Sequence, residues 1–126
     1  PFQHVLEPLY AYLMIVEKQY EDKKYEGYYN VGPDDGDCIT TGNLVDIFCK
    51  KWGEGLTWED KYVGGPHEAN FLKLDCSKLK STFNWKPHWN VETAIEKTVE
   101  WTKCYFNSQN VRECMDNQIK EFFGLL

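Results

Sequence analysis

Apolar residues recur at helical spacing from Leu6 to about Tyr20, at positions 6, 9, 10, 13, 16 and 20, while Tyr12, Met14 and Ile15 fill the intervening side. A helix apolar all round asks for neighbours on both sides. The charged run 17–26 closes it, and Gly27-Tyr-Tyr-Asn-Val-Gly32 then predicts a short buried strand ending in a turn, with Pro33-Asp-Asp-Gly36 as loop. Thr40 is placed to cap a second helix, with Asn43 three residues on. Its inner face is Leu44, Val45, Phe48 and Trp52, and Gly53 stops it. Residues 56–63 predict a strand with one wet face at Glu59, Asp60 and Lys61. Gly64-Gly65-Pro66 is a break, after which 71–74 is extended and a short helix begins at Asp75 or Ser77 and ends near Phe83. Beyond the turn Asn84-Trp-Lys-Pro87, Asn90 caps the most regular helix. There Val91, Ala94, Ile95, Thr98, Val99 and Thr102 share a face opposite Glu92, Glu96, Glu100 and Lys103. An amphipathic stretch over 111–123 finishes the chain. Strands placed between helices predict an α/β fold, with α+β as the variant.

Composition changes this picture little and charge changes it more. The 126 residues are 42% hydrophobic and 27% charged, which is ordinary globular make-up for one domain. Fourteen basic against twenty acidic residues leave a net charge of −6, so a nucleic-acid backbone is not an expected partner. Every cation but Arg112 is Lys, which lacks the fork that grips phosphate with paired donors. Cys38, Cys49, Cys76, Cys104 and Cys114 are odd in number and hold no C-x-x-C pair, a pattern of neither zinc site nor secreted disulfide framework. A reducing cytoplasm is the expected setting. The longest apolar run, 9–16, is too short to cross a membrane, so no membrane partner is expected. The chain opens on Pro1 inside what reads as an ordered segment, which leads us to expect a piece of a longer polypeptide.

Chemical motifs are sparse. Gly53 and Gly55 begin a G-x-G-x-x-G pattern whose third place is Trp58, so the dinucleotide fingerprint is absent. Tyr20 and Lys24 have the spacing of a dehydrogenase Tyr/Lys pair, yet they fall in a charged run at a helix end and read as solvated. His4, His67 and His88 have no carboxylate or thiolate at ligand spacing, so no metal is expected. Trp85 and Trp89 beside a helix start read as core rather than as a platform for a base, and Lys73, Lys78, Lys80 and Lys86 read as a solvated basic face.

Whole segments say more. Phe2-Gln-His-Val-Leu-Glu-Pro-Leu9, Tyr29-Asn-Val-Gly-Pro33, His67-Glu-Ala-Asn-Phe-Leu-Lys-Leu-Asp-Cys-Ser-Lys78, Trp85-Lys-Pro and Glu96-Lys-Thr-Val-Glu-Trp101 together resemble the C-terminal part of the extended short-chain dehydrogenase/reductase family. Within it, the first and third stretches resemble the branch of CDP-glucose 4,6-dehydratases more than the dTDP-glucose dehydratases or UDP-galactose epimerases. The resemblance implies a parent that converts CDP-glucose to CDP-4-keto-6-deoxyglucose with tightly held NAD, on the route to deoxysugars of bacterial surface polysaccharides. It implies that 1–126 form the substrate-binding lobe, with one strand–helix piece belonging to the Rossmann domain and residues 1–22 packed on an N-terminal NAD-binding domain. The acid/base and cofactor residues of the family lie upstream of the matching segment. No catalytic or cofactor-binding residue is therefore expected in this chain, which by itself should be inactive, and a homo-oligomer is expected. As substrate-binding residues the resemblance implies Phe2, His67, Glu68 and Asn70, and Asn30 and Gly32 at the end of the expected strand. Gly64 stands where dTDP and UDP relatives carry a phosphate-binding arginine. Another nucleotide-sugar epimerase/dehydratase lobe, or a non-catalytic acidic interaction module, are the alternatives.

Overall fold

The computed structural model describes residues 1–61, 64–65 and 72–125. Its helices are α1 (Leu6–Glu21), α2 (Thr41–Trp52), α3 (Ser77–Phe83), α4 (Val91–Phe106) and α5 (Val111–Phe122), with single 3-10 turns at Lys23–Tyr25 and Asp35–Asp37. Among the described residues there is no strand. The expected α/β fold, with a strand–helix piece of a Rossmann domain, is therefore corrected to an all-helical one over these residues.

The reason lies in how the extended segments satisfy their backbones. Around residues 28–33, side chains take the place of a neighbouring strand: Gln3 Nε2 donates to the Val31 carbonyl at 3.3 Å and Asn30 Nδ2 to the Asp75 carbonyl at 3.0 Å. Tyr28 is almost wholly exposed, and only Val31, Gly32 and Pro33 are buried, so the segment is not the buried strand its pattern predicts. Residues 56–61 are exposed along their length, and Trp58 turns its indole N–H to Asp46 of α2 at 2.8 Å. The remainder of that expected strand, Tyr62 and Val63, lies outside the described residues, as do Pro66 and Phe71.

The helix ends follow local chemistry. Thr40 Oγ1 accepts from the Asn43 N–H at 3.2 Å, and Asn90 Oδ1 from Thr93 N–H at 2.9 Å. Gly53, at φ 77°, closes α2 in a left-handed conformation that glycine adopts without steric cost. Asp75 Oδ1 accepts from both the N–H and the hydroxyl of Ser77, which starts α3.

Two cores result. In the first, Ala11 and Ile15 of α1 meet Val31, Leu79 of α3 and Trp85, with Tyr10, Met14, Tyr29 and Phe83 around them. In the second, Val91, Ile95 and Val99 of α4 meet Leu44, Ile47, Phe48 and Trp52 of α2. Helix α5 packs on α4 and brings Phe122 against Tyr10, His88 and Trp89. Among the described residues no helix is long and apolar enough to cross a membrane.

Candidate functional site

The wall that holds Asn30 and Gly32 is built by packing around Val31. Because Val31 points into the first core, Asn30 faces outward and Gly32 is pressed against the 74–76 segment. A Cβ at Gly32 would stand 3.4 Å from both Cys76 Sγ and the Leu74 side chain, so the segment packs closely on 74–76. The Cys76 thiol lies 3.9 Å from the Gly32 carbonyl, to which it donates, and burial pushes its pKa up.

Beside this wall opens a cavity of about 490 Å³ whose lining includes Pro33, Asp35, Lys73, Asp75, Cys76 and Lys80. Its charges come in pairs: Lys80 with Asp34, and Lys73 Nζ with Asp35 at 3.4 Å. An incoming phosphate would have to displace a carboxylate from either lysine. Alternating donors and acceptors suit a hydroxyl-rich ligand better than a bare anion. Lys78 instead lies over the Tyr29 ring at 4.7 Å, and Lys86 is exposed, so the lysine cluster divides among separate tasks.

Phe2 lies in a neighbouring groove of about 320 Å³, between the N-terminal segment and the α2/α4 face, with His4, Leu44, Phe48, Ile95 and Thr98. The Gln3–Val31 hydrogen bond joins that segment to the Asn30–Gly32 wall. Phe2 thus lines a separate groove, linked to the Asn30–Gly32 segment through the Gln3–Val31 hydrogen bond. His67, Glu68 and Asn70 lie outside the described residues.

Trp85, 4% exposed, is core, and Trp89 packs edge-on to His4 and Phe122. Tyr20 is 93% exposed, and Lys24 pairs with Asp22. Among the described residues no group of three or more His, Cys, Asp or Glu could hold a metal ion.

The pattern reading passed over Glu7. Its side chain is 1% exposed, and Oε1 accepts from the backbone N–H groups of His88 at 2.8 Å and Trp89 at 2.7 Å. Oε2 is buried with no hydrogen-bond partner; His88 Nδ1, at 3.9 Å, is beyond bonding range. Burial raises the carboxyl pKa, and the two backbone donors only partly offset it. The signal was present, since Glu7, Ala11 and Ile15 lie four apart on the buried face of α1. His4 is held similarly: Nδ1 accepts from the Leu6 N–H at 3.3 Å, and burial, then the Lys97 charge, lowers its pKa.

No family model matches the chain. Over 125 residues it is 34% identical to CDP-glucose 4,6-dehydratase of Salmonella typhimurium, an alignment covering 98% of this chain and 35% of that protein. The chain thus spans about a third of the length of the curated relative it matches. Over nearly all its residues it is similar to a CDP-glucose 4,6-dehydratase, which bears out the resemblance carried by its HVLEPL and HEANFLKLDCSK stretches.

Proposed function

We propose that this chain is the C-terminal, nucleotide-sugar-binding part of a CDP-glucose 4,6-dehydratase, a lyase that converts CDP-glucose to CDP-4-keto-6-deoxyglucose in deoxysugar biosynthesis. The observation that carries this is the 34% identity sustained over 98% of the chain. The paired-charge cavity beside Asn30 and Gly32 supports it, because its lining matches a sugar better than a bare phosphate.

NAD is the cofactor this activity implies, and the residues of this chain do not fit it. Its one glycine pair of suitable spacing, Gly53 and Gly55, sits at the C-terminal end of α2, where carbonyls point outward. A pyrophosphate needs the N–H groups of a helix start. The cofactor is therefore assigned to an N-terminal NAD-binding domain, against which residues 1–22 pack, and this chain is left with binding and positioning substrate. By itself it neither holds NAD nor turns over CDP-glucose.

The test is made in the complete polypeptide that carries this chain, supplied with CDP-glucose, dTDP-glucose or UDP-glucose and followed by formation of the 4-keto product. Turnover of CDP-glucose with little or none of the others is expected; preference for another nucleotide overturns the reading. In the same protein His67→Ala is expected to raise KM about 2- to 10-fold with kcat nearly unchanged, the loss of one ground-state hydrogen bond. A large fall in kcat at constant KM would make His67 a proton carrier instead.

A further inference from the structure

Helices α4 and α5 form a hairpin whose connection, residues 107–110, is closed by short backbone bonds. The Gln109 N–H donates to the Cys104 carbonyl at 3.0 Å and the Cys114 N–H to the Asn110 carbonyl at 3.1 Å. This geometry sets Cys104, in the last turn of α4, against Cys114, in the first turn of α5. Both cysteines sit at the facing ends of this hairpin, and Cys104 is among the groups that bear on the Cys114 thiol. Gln118 Nε2, one turn along α5, lies 3.8 Å from Cys114 Sγ and also donates to the Lys97 carbonyl at 2.9 Å. That amide fixes the Cys114 side of the hairpin on α4.

Both thiols line one open groove of about 330 Å³, together with Glu100, Asn110, Glu113 and Asn117. They differ in access: Cys104 is buried and Cys114 is partly exposed. A reagent entering the groove meets the more exposed Cys114, and Cys104 lines the same groove. Such a nucleophile with a resolving partner is what distinguishes a dithiol that closes from an isolated cysteine. Cys38, Cys49 and Cys76 show no such partner: Cys38 and Cys76 turn their thiols to the carbonyls of Asp34 and Gly32, and Cys49 lies on α2.

We infer that Cys104 and Cys114 form a dithiol that a small disulfide of neutral or cationic character oxidises to an intrachain bridge, stapling α5 to α4. The Cys114 thiolate attacks one sulfur of R–S–S–R, forming the mixed disulfide and expelling RS⁻. The Cys104 thiolate then attacks Cys114 Sγ and expels the second RS⁻. The protons lost by the two cysteines end on the two released thiolates, and the reagent takes both electrons. Glu100 and Glu113 on the groove wall set the charge preference, since they repel an anionic disulfide. Burial, with Cys104 and Glu100, raises the Cys114 pKa and so slows the reaction, while Lys97 works the other way.

The experiment treats the complete polypeptide that carries this chain with cystamine or with oxidised glutathione, and maps the cysteines by peptide mass spectrometry. With cystamine, a peptide pair joined through Cys104 and Cys114 and lacking two hydrogens is expected. With glutathione disulfide, the same bridge is expected at least several-fold more slowly. Cys104→Ser should stop at a cystamine adduct on Cys114, and Cys104→Ala provides the same test should the serine variant not fold. The bridge should raise Tm by about 5–10 °C, reversed by dithiothreitol, as expected for closing a short loop. Overturning results are a stable cystamine adduct on Cys114 in the unmutated protein, a bridge through any other pair, no reaction at either thiol, or glutathione disulfide reacting as fast as cystamine.

Discussion

Helices α1 and α4 have the same length, sixteen residues, and bury very different proportions of their apolar surface. Over its first turns α4 is divided cleanly: Val91, Ala94, Ile95 and Val99 go inward while Glu92, Glu96 and Glu100 face water, whereas its last turns leave Trp101, Tyr105 and Phe106 exposed. Helix α1 buries Ala11, Ile15 and the carboxyl of Glu7, and leaves Leu9, Tyr12, Leu13 and Val16 exposed, Leu13 at 72%. The first turns of α4 are finished by their partners, whereas α1 is half covered along its length. Stability should therefore rest on the inner faces of both helices, and sensitivity to a further surface on the outer face of α1.

The widest test of this difference is truncation of each core. Leu79→Ala removes a wholly buried side chain between α1 and Trp85, and Ile95→Ala one between α4 and α2. Each is expected to cost about 2–5 kcal/mol in urea unfolding, with one shared transition. Two separate transitions would break the comparison into two independent units.

The link between the cores is Glu7, and it is the next largest test. Glu7→Ala strands the N–H groups of His88 and Trp89, at about 1–3 kcal/mol for a buried donor left unmade. Glu7→Gln keeps an acceptor for them and removes the buried charge. Because the folded-state pKa of Glu7 lies above the usual 4.5, its contribution is most favourable below pH 4.5 and is lost as pH rises through the raised value. The Gln variant should therefore gain Tm over the unmutated chain at pH 7 to 8 and lose that advantage near pH 4. A difference that does not vary with pH would mean that the Glu7 carboxyl has the same pKa folded and unfolded.

What the sequence revealed follows the range of the interactions concerned. Helix boundaries were legible because Thr40, Gly53, Asp75 and Asn90 act within a few residues of their own positions. The expected strands were not borne out, because alternation along 27–32 and 56–61 registers apolar residues without saying whether another strand lies alongside. Gln3, from far away in the chain, serves the Val31 carbonyl, and the Asn30 amide turns to the Asp75 carbonyl instead of to a strand. The inner face of α2 was read nearly right, with Leu44, Phe48 and Trp52 in place and Ile47 joining them in the core. Of the candidate site, Phe2 lines one groove while Asn30 and Gly32 flank another cavity, and Glu7 was hidden by the apolar residues flanking it.

Capping gives a smaller effect. Thr40→Ala and Asn90→Ala should each cost about 1 kcal/mol, as caps of helices whose packing is otherwise kept. Both caps belong to the α2/α4 side, so the loss should be the same whether or not α1 is covered.

The smallest stability change carries the sharpest test of the comparison. Leu13 and Val16 sit on the outer face of α1, so Leu13→Glu and Val16→Glu disturb no buried contact and should alter unfolding by no more than about 0.5 kcal/mol. Ile15 would be the wrong choice, since it lies in the first core and a charge there would unfold the chain. Apolar surface left open on the isolated chain is satisfied by another copy, and covering a few hundred Å² at about 25 cal/mol per Å² gives several kcal/mol before association costs. Sedimentation of the isolated chain at tens of micromolar should thus show an oligomer, and either glutamate should return it to monomer with its melting curve intact. An unmutated monomer, or an oligomer indifferent to both charges, would mean that the exposed face of α1 is tolerated as it stands, and the difference between α1 and α4 would then be one of composition alone.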